Sequence, residues 1–222
     1  RHIYMYDMNG NLVRQLTDGQ WEVTEVYGVD DNGVVYFQAA KNSPLRREIY
    51  CVDAEKGKIK ELSKGKGTNS ATFSNGFKYF INEFSDANTP TVITLCNNSG
   101  KVIRELENNK ALADKINGDY KFTKKEFFTF KTENGDELNG WMIKPQNFDA
   151  KKKYPVFMYV YGGPGSQTVA DVWDGSMPWY QIFAQKGYII VSVDNRGTGY
   201  RGRDFRQTTY GQLGKYEVQD QI

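Results

Sequence analysis

The sequence predicts a mixed fold in two parts: repeated four-stranded antiparallel sheets of the β-propeller kind, followed by the opening of an α/β domain. Hairpin patterns recur with a period near 45 residues in the first half. Asn-Gly pairs sit between alternating apolar segments, where a hairpin turn is needed. Beyond Asn117 the alternation gives way to nearly continuous apolar runs separated by a Gly-rich loop and a helical pattern, as in strands of a parallel sheet.

Composition supports a folded chain and narrows its partners. Of 222 residues, 39% are hydrophobic and 14% aromatic, enough for a substantial core and unlike a disordered segment. Lys and Arg number 29 against 27 Asp and Glu, so no basic field marks the chain for nucleic acid. No apolar run approaches the roughly 18 residues of a membrane span. Cys51 and Cys96 form neither a disulfide framework nor a CxxC site.

Three segments align: Ile3 to Gly19, Ile49 to Gly65 and Val92 to Asn109. Each reads as alternation, a Gly-containing turn, alternation again and then a leucine. The leucines Leu16, Leu62 and Leu106 are expected to anchor the repeats, and Gly10, Gly57 and Gly100 to turn them. Between these hairpins lie strand pairs at Val23 to Val29 with Val34 to Ala39, and Ala71 to Phe73 with Phe77 to Phe84, joined at Asn32-Gly33 and Asn75-Gly76 as two-residue turns. Four strands per repeat suit a blade, although a β-sandwich would also carry hairpins on a loose period. Two and a half blades cannot close a ring of about 4 to 8. The propeller reading therefore expects sequence upstream of Arg1, and the helical pattern from Tyr216 to Ile222, which has no stop signal, adds the expectation of further sequence at the other end.

The expected domains are 1–118, propeller blades, and 119–222, the α/β part. A hairpin at Glu126 to Lys131 and Glu137 to Lys144 crosses Asn134-Gly135. Tyr154 to Tyr161 and Tyr188 to Asp194 read as strands buried on both faces, with a helix at Pro178 to Lys186 stopped by Gly187. Together they form a βαβ unit.

Several motifs fail on inspection. Lys64 to Gly67 lacks P-loop spacing and reads as a solvated turn, and Asn97-Asn98-Ser99 spells a glycosylation sequon with little weight. Gly197 to Gly202 matches GxGxxG after a strand, but Asn195-Arg196 intervene, no amphipathic helix follows directly, and Asp220 falls on a helix rather than at a strand end. No cofactor is implied. A hydrolase triad on such a sheet runs Ser, then Asp or Glu, then His. The single histidine, His2, precedes everything and reads as a propeller strand residue; neither Ser166 nor Ser176 sits in a GxSxG elbow; and Asp194 comes too early to be the acid. What stands out is Tyr161-Gly162-Gly163-Pro164-Gly165-Ser166 at the carboxyl end of a strand, where α/β sheets place their sites.

The order of hairpin repeats, YVYGGPGSQ, DNRGTGYRG and LGKYEVQDQI resembles the prolyl oligopeptidase family of serine peptidases, in its dipeptidyl peptidase IV branch. The points of resemblance are Arg1-His2-Ile3, Trp21-Glu22-Val23, Arg104 with Leu106-Glu107 and Asn109, Tyr154-Pro155, Tyr161 through Ser166, Arg196-Gly197, and Leu213-Gly214 with Glu217 to Ile222. The resemblance implies the C-terminal blades of a β-propeller followed by the N-terminal part of an α/β-hydrolase domain. It implies release of N-terminal dipeptides, after Pro or Ala, from peptide substrates by an acyl-enzyme route. Tyr161 then corresponds to the tyrosine whose hydroxyl helps form the oxyanion hole. The triad, and the acidic residues that hold the substrate's amino terminus, fall outside this chain, which alone is expected to be inactive. A homodimer in the periplasm or outside the cell follows at family level. An inactive homologue that binds peptides, or an acylaminoacyl peptidase, would share these residues, although Trp21-Glu22-Val23 and GGPGSQ favour the dipeptidyl branch.

Overall fold

The computed structural model describes all 222 residues, Arg1–Ile222. Its contacts divide the chain into two compact units. The first comprises Arg1–Asp86, Pro90–Asn109 and Tyr200–Arg203; the second comprises Ala87–Thr89, Lys110–Gly199 and Asp204–Ile222.

The named strands of the first unit all pair antiparallel. A hairpin, β1 (Tyr4–Tyr6) and β2 (Leu12–Gln15), precedes two four-stranded meanders. These are β3 (Val23–Val29), β4 (Val34–Ala39), β5 (Glu48–Asp53) and β6 (Ile59–Glu61), then β7 (Thr68–Phe73), β8 (Tyr79–Asp86), β9 (Thr89–Asn97) and β10 (Val102–Glu107), each pairing with its chain neighbour. The three aligned segments are therefore the β1-β2, β5-β6 and β9-β10 hairpins. Strand β4 is buried on both faces, and this is what stacks the sheets. Val35, Phe37 and Ala39 join Leu16, Val23, Tyr50 and Val52 in one cluster, while Tyr36 on the opposite face joins Ile49, Leu62, Phe80 and Cys96. Successive sheets thus pack face against face in chain order, as partial propeller blades do. Each fully buried Phe or Ile here contributes about 1.5–3 kcal/mol.

Three expectations change in this unit. The hairpin loops are not two-residue turns with both Asn and Gly at positive φ. Asp7 N–H donates to Asn11 O at 2.9 Å and Gly10 N–H to Asp7 O at 3.1 Å, and the same pattern recurs at Asp30 to Val34 and Asn97 to Lys101. This is the three-residue loop, a type I turn closed by a left-handed glycine. Its cause is the first residue: one oxygen of Asp7, Asp30 or Asn97 accepts the N–H groups two and four residues on, which fixes the turn before the Gly is reached. Asn75-Gly76 instead opens a short 3-10 turn, Asn75–Phe77. The second change is Leu106, which is 44% exposed on the edge strand β10, whereas Leu16 and Leu62 each lie where two sheets meet. His2 also lies just ahead of β1 rather than in it.

The second unit contains α1 (Lys110–Gly118) and carries a mixed sheet of β11 (Lys125–Lys131), β12 (Glu137–Ile143), β14 (Ile189–Asp194) and β13 (Val156–Met158), in that spatial order. β12 pairs antiparallel with β11 and β14, while β13 runs parallel to β14 through α2 (Met177–Gln185), the expected βαβ crossover and the onset of an α/β-hydrolase-like sheet. Leu138, Trp141, Ile143 and Ile190 are among the sheet's buried side chains, Tyr180 and Met177 of α2 are buried too, and the Trp141 and Tyr180 ring centroids lie 5.1 Å apart. The chain ends in α3 (Arg203–Gln207) and α4 (Lys215–Gln221). The Tyr154 to Tyr161 run is not buried on both faces: only three residues are strand, they pair with β14 alone at the sheet edge, and Val156 is 59% exposed. Tyr200–Arg203 joins the first unit through Tyr200, over whose ring the buried Arg47 guanidinium lies 3.7 Å from the centroid.

Candidate functional site

The site is built on two glycine-rich loops that leave neighbouring parallel strands, β13 and β14, at their carboxyl ends. Tyr159 N–H still donates to Val191 O at 2.9 Å; past it the chain leaves the sheet and Tyr161 stands 68% exposed. Gly162 (φ +70°) and Gly165 (φ +71°) occupy the left-handed region that side chains avoid. The turn brings the two loops into main-chain contact. Gly165 N–H donates to Gly197 O at 2.8 Å and Gly199 N–H to Ser166 O at 2.9 Å, while a Cβ on Gly199 would stand 2.9 Å from Gly165 O. Gly199 of the GxGxxG string thus serves close backbone approach to the Tyr161 loop, and the helix after the string, α3, is five residues long.

Buried polar groups support these loops from beneath. Asp194, at the end of β14, accepts Thr168 N–H at 2.8 Å, Thr168 Oγ1 at 2.8 Å and Val169 N–H at 3.1 Å, which ties down the chain after the GGPGSQ turn. Its strand-end role is therefore structural. Arg196 forms a bidentate pair with Asp220 on α4, Nη2 to Oδ1 at 2.7 Å and Nε at 3.0 Å, and its backbone N–H reaches Asp220 Oδ2 at 2.7 Å. Hydrogen bonding to Asp220 holds the Arg196 guanidinium above its ordinary pKa, against the opposing effect of burial. Asn195, fully buried, sends Nδ2 to Gly162 O at 3.1 Å and to Arg196 O at 2.7 Å, while its Oδ1 accepts Gln221 Nε2 at 3.0 Å. Tyr161, Gly162, Asn195, Gly214, Glu217 and Gln221 are among the residues around a cavity of about 470 Å³.

Chemically this arrangement offers a phenol hydroxyl at an open loop, a good donor at neutral pH. His2 lies in the first unit, held by Thr17 Oγ1 and Gly19 O at 3.1 Å each, and Ser166 is spent on the Gly163 carbonyl. No group of three or more His, Cys, Asp or Glu side chains stands close enough to hold a metal. Sequence reasoning singled out Tyr161 and its turn, which the structure places at the carboxyl end of β13, but not the Asn195 and Gln221 amides that hold the turn. Two Gly-rich loops following adjacent strands were the available signal that the polar residues between them would hold one loop to the other.

Comparison with known proteins bears on this geometry. Residues 1–91 match the model of the dipeptidyl peptidase IV N-terminal region, and residues 176–222 match the prolyl oligopeptidase family. A solved structure of Porphyromonas gingivalis dipeptidyl peptidase 4 superimposes on 99% of the chain with a TM-score of 0.93 and 45% identity. The chain is homologous to the dipeptidyl peptidase IV and prolyl oligopeptidase family. Dipeptidyl peptidase 4 of Arthroderma otae and of Trichophyton rubrum are each 35% identical to it, over 227 and 228 residues respectively. The match covers 100% of this chain but 29% of each of those relatives, and 31% of the Porphyromonas chain. The chain thus spans just under a third of the family members it matches. Within it lie sheets of the propeller kind and the first strands of the hydrolase sheet, and no nucleophile elbow or Ser-Asp-His triad.

Proposed function

We propose that the protein to which this chain belongs is a serine exopeptidase that releases N-terminal dipeptides, with Pro or Ala in the second position, through an acyl-enzyme. The observation that carries the reading is Tyr161: homology to the dipeptidyl peptidase IV family runs the length of the chain, and an exposed phenol stands at the one strand end where the family resemblance assigns an oxyanion donor. Its hydroxyl donates to the oxygen that gains charge as the nucleophile attacks, beside a backbone N–H contributed by the residue after that nucleophile. Each such donor is worth about 2.7–4 kcal/mol in the acylation barrier. Gly162 and Gly165 present the ring by turning the backbone sharply, and Asp194 and Arg196 hold the loop ends so that little reorganisation is needed. Family relationship also supports a homodimer located in the periplasm or outside the cell.

The test is hydrolysis of Gly-Pro and Gly-Ala chromogenic dipeptides by the full-length protein, with an N-acylated alanine substrate alongside. Turnover of the free-amine dipeptides alone is expected. Cleavage only of the N-acylated substrate would assign an acylaminoacyl peptidase instead. Peptide binding without turnover of any substrate would assign an inactive homologue.

A further inference from the structure

We propose that Asn195, held by Gln221, is a positioning residue that sets Tyr161 in register with α4; the inference rests on the oxyanion role proposed for Tyr161. The chain of contacts is short and polar throughout. Gln221 Nε2 donates to Val193 O at 2.9 Å and to Asn195 Oδ1 at 3.0 Å, and Asn195 Nδ2 donates to Gly162 O at 3.1 Å. The orientation of both amides is determined by their partners: rotating either would set its oxygen against a main-chain carbonyl. Gly162 is the residue directly after Tyr161, and a Cβ there would stand 2.5 Å from Asn195 Oδ1, so the loop and this side chain are fitted to one another. One carbonyl beyond the Tyr161 Cα is therefore fixed from α4.

The consequence follows from how an oxyanion hole works. Two donors from different segments must converge on one oxygen, and an error of about 1 Å in placement can cost 10²-fold in rate. In the proposed enzyme the second donor lies outside this chain, and Gln221, Asn195 and Gly162 tie the Tyr161 turn to α4 and the β14 loop through three side-chain or main-chain groups, so that the phenol meets that donor from a set position. Arg196 and Asp220 carry the same α4 from the adjacent residue, which leaves Asn195 free of the task of holding the helix in place.

The experiment is a double-mutant cycle in the full-length enzyme: Asn195→Ala, Tyr161→Phe and both together, with kcat, KM and Tm measured on a Gly-Pro chromogenic substrate. The expected result is a fall of about tenfold in kcat for Asn195→Ala with KM within twofold. In the Tyr161→Phe background the same change should cost less than twofold, because the donor it positions is gone. Gln221→Met, which keeps volume but removes the amide, is expected to reproduce the effect should Asn195→Ala not fold. Losses that multiply independently, or a folded Asn195→Ala or Gln221→Met enzyme with kcat within twofold of wild type, would overturn the inference. If Tyr161→Phe alone leaves kcat unchanged, it is the oxyanion reading that fails, and this inference falls with it.

Discussion

At the scale of single residues, Tyr36 shows how burial becomes a pH dependence. Burial, with the charge of Asp30 adding to it, pushes this phenol up to about 12, and its hydroxyl donates to Asp30 Oδ2 at 3.2 Å. The ring lies stacked against Phe77 and tilted against Phe73 in the cluster between two sheets. A folded-state pKa above the ordinary value of about 10 means that the stability it contributes is complete below pH 10 and is lost as pH rises through 12. Tyr36→Phe is therefore expected to flatten the alkaline fall in Tm between pH 10 and 12 while changing little below pH 9. A stability difference between the two proteins that is constant from pH 8 to 12 would contradict this. Tyr161 is the opposite case, an aromatic ring that the fold leaves exposed at a strand end.

At the scale of elements, the hairpin loops separate local from tertiary demands. Gly10 and Gly100 close the same type of turn, with φ of +84° and +85°. A Cβ on Gly10 would meet nothing within 4 Å, whereas one on Gly100 would collide with the Leu62 carbonyl. Gly10→Ala is thus expected to cost only the left-handed strain, about 1–2 kcal/mol, and Gly100→Ala distinctly more, read from denaturant midpoints of the two variants. Equal costs would mean that the Leu62 approach is relaxed at no expense. These elements also show what the sequence makes legible. Period-two alternation and Gly placement locate nearly every strand, because both are local properties. The loop at Asn32-Gly33 was misread because Asp30 acts on the backbone two and four residues away, a pattern that the Asn-Gly pair masks. Leu106 and the β13 run were misread because apolar sequence reports what a strand is able to bury, while exposure depends on whether a neighbouring sheet or strand is present.

At the scale of the whole molecule, the candidate site was legible only in part, and the division has a physical basis. Tyr161 and its glycines are contiguous in sequence and announce a strand-end turn. Asn195, Arg196, Asp220 and Gln221 come together only when α4 folds back beneath the β14 loop, and no local pattern states that pairing. The chain spans just under a third of the dipeptidyl peptidases it matches, and the chemistry proposed for it needs a nucleophile and a triad that the chain does not contain. The central proposal is that this portion supplies the Tyr161 hydroxyl to the oxyanion that forms on the substrate when a nucleophile from outside the chain attacks it. The most direct test is kcat for a Gly-Pro chromogenic substrate in full-length wild-type and Tyr161→Phe enzymes, with Tm measured on both. The account predicts a loss of about 10² to 10³ in kcat, with KM and Tm little changed. A Tyr161→Phe enzyme turning over within about threefold of wild type, well under 1 kcal/mol in barrier height, would contradict it.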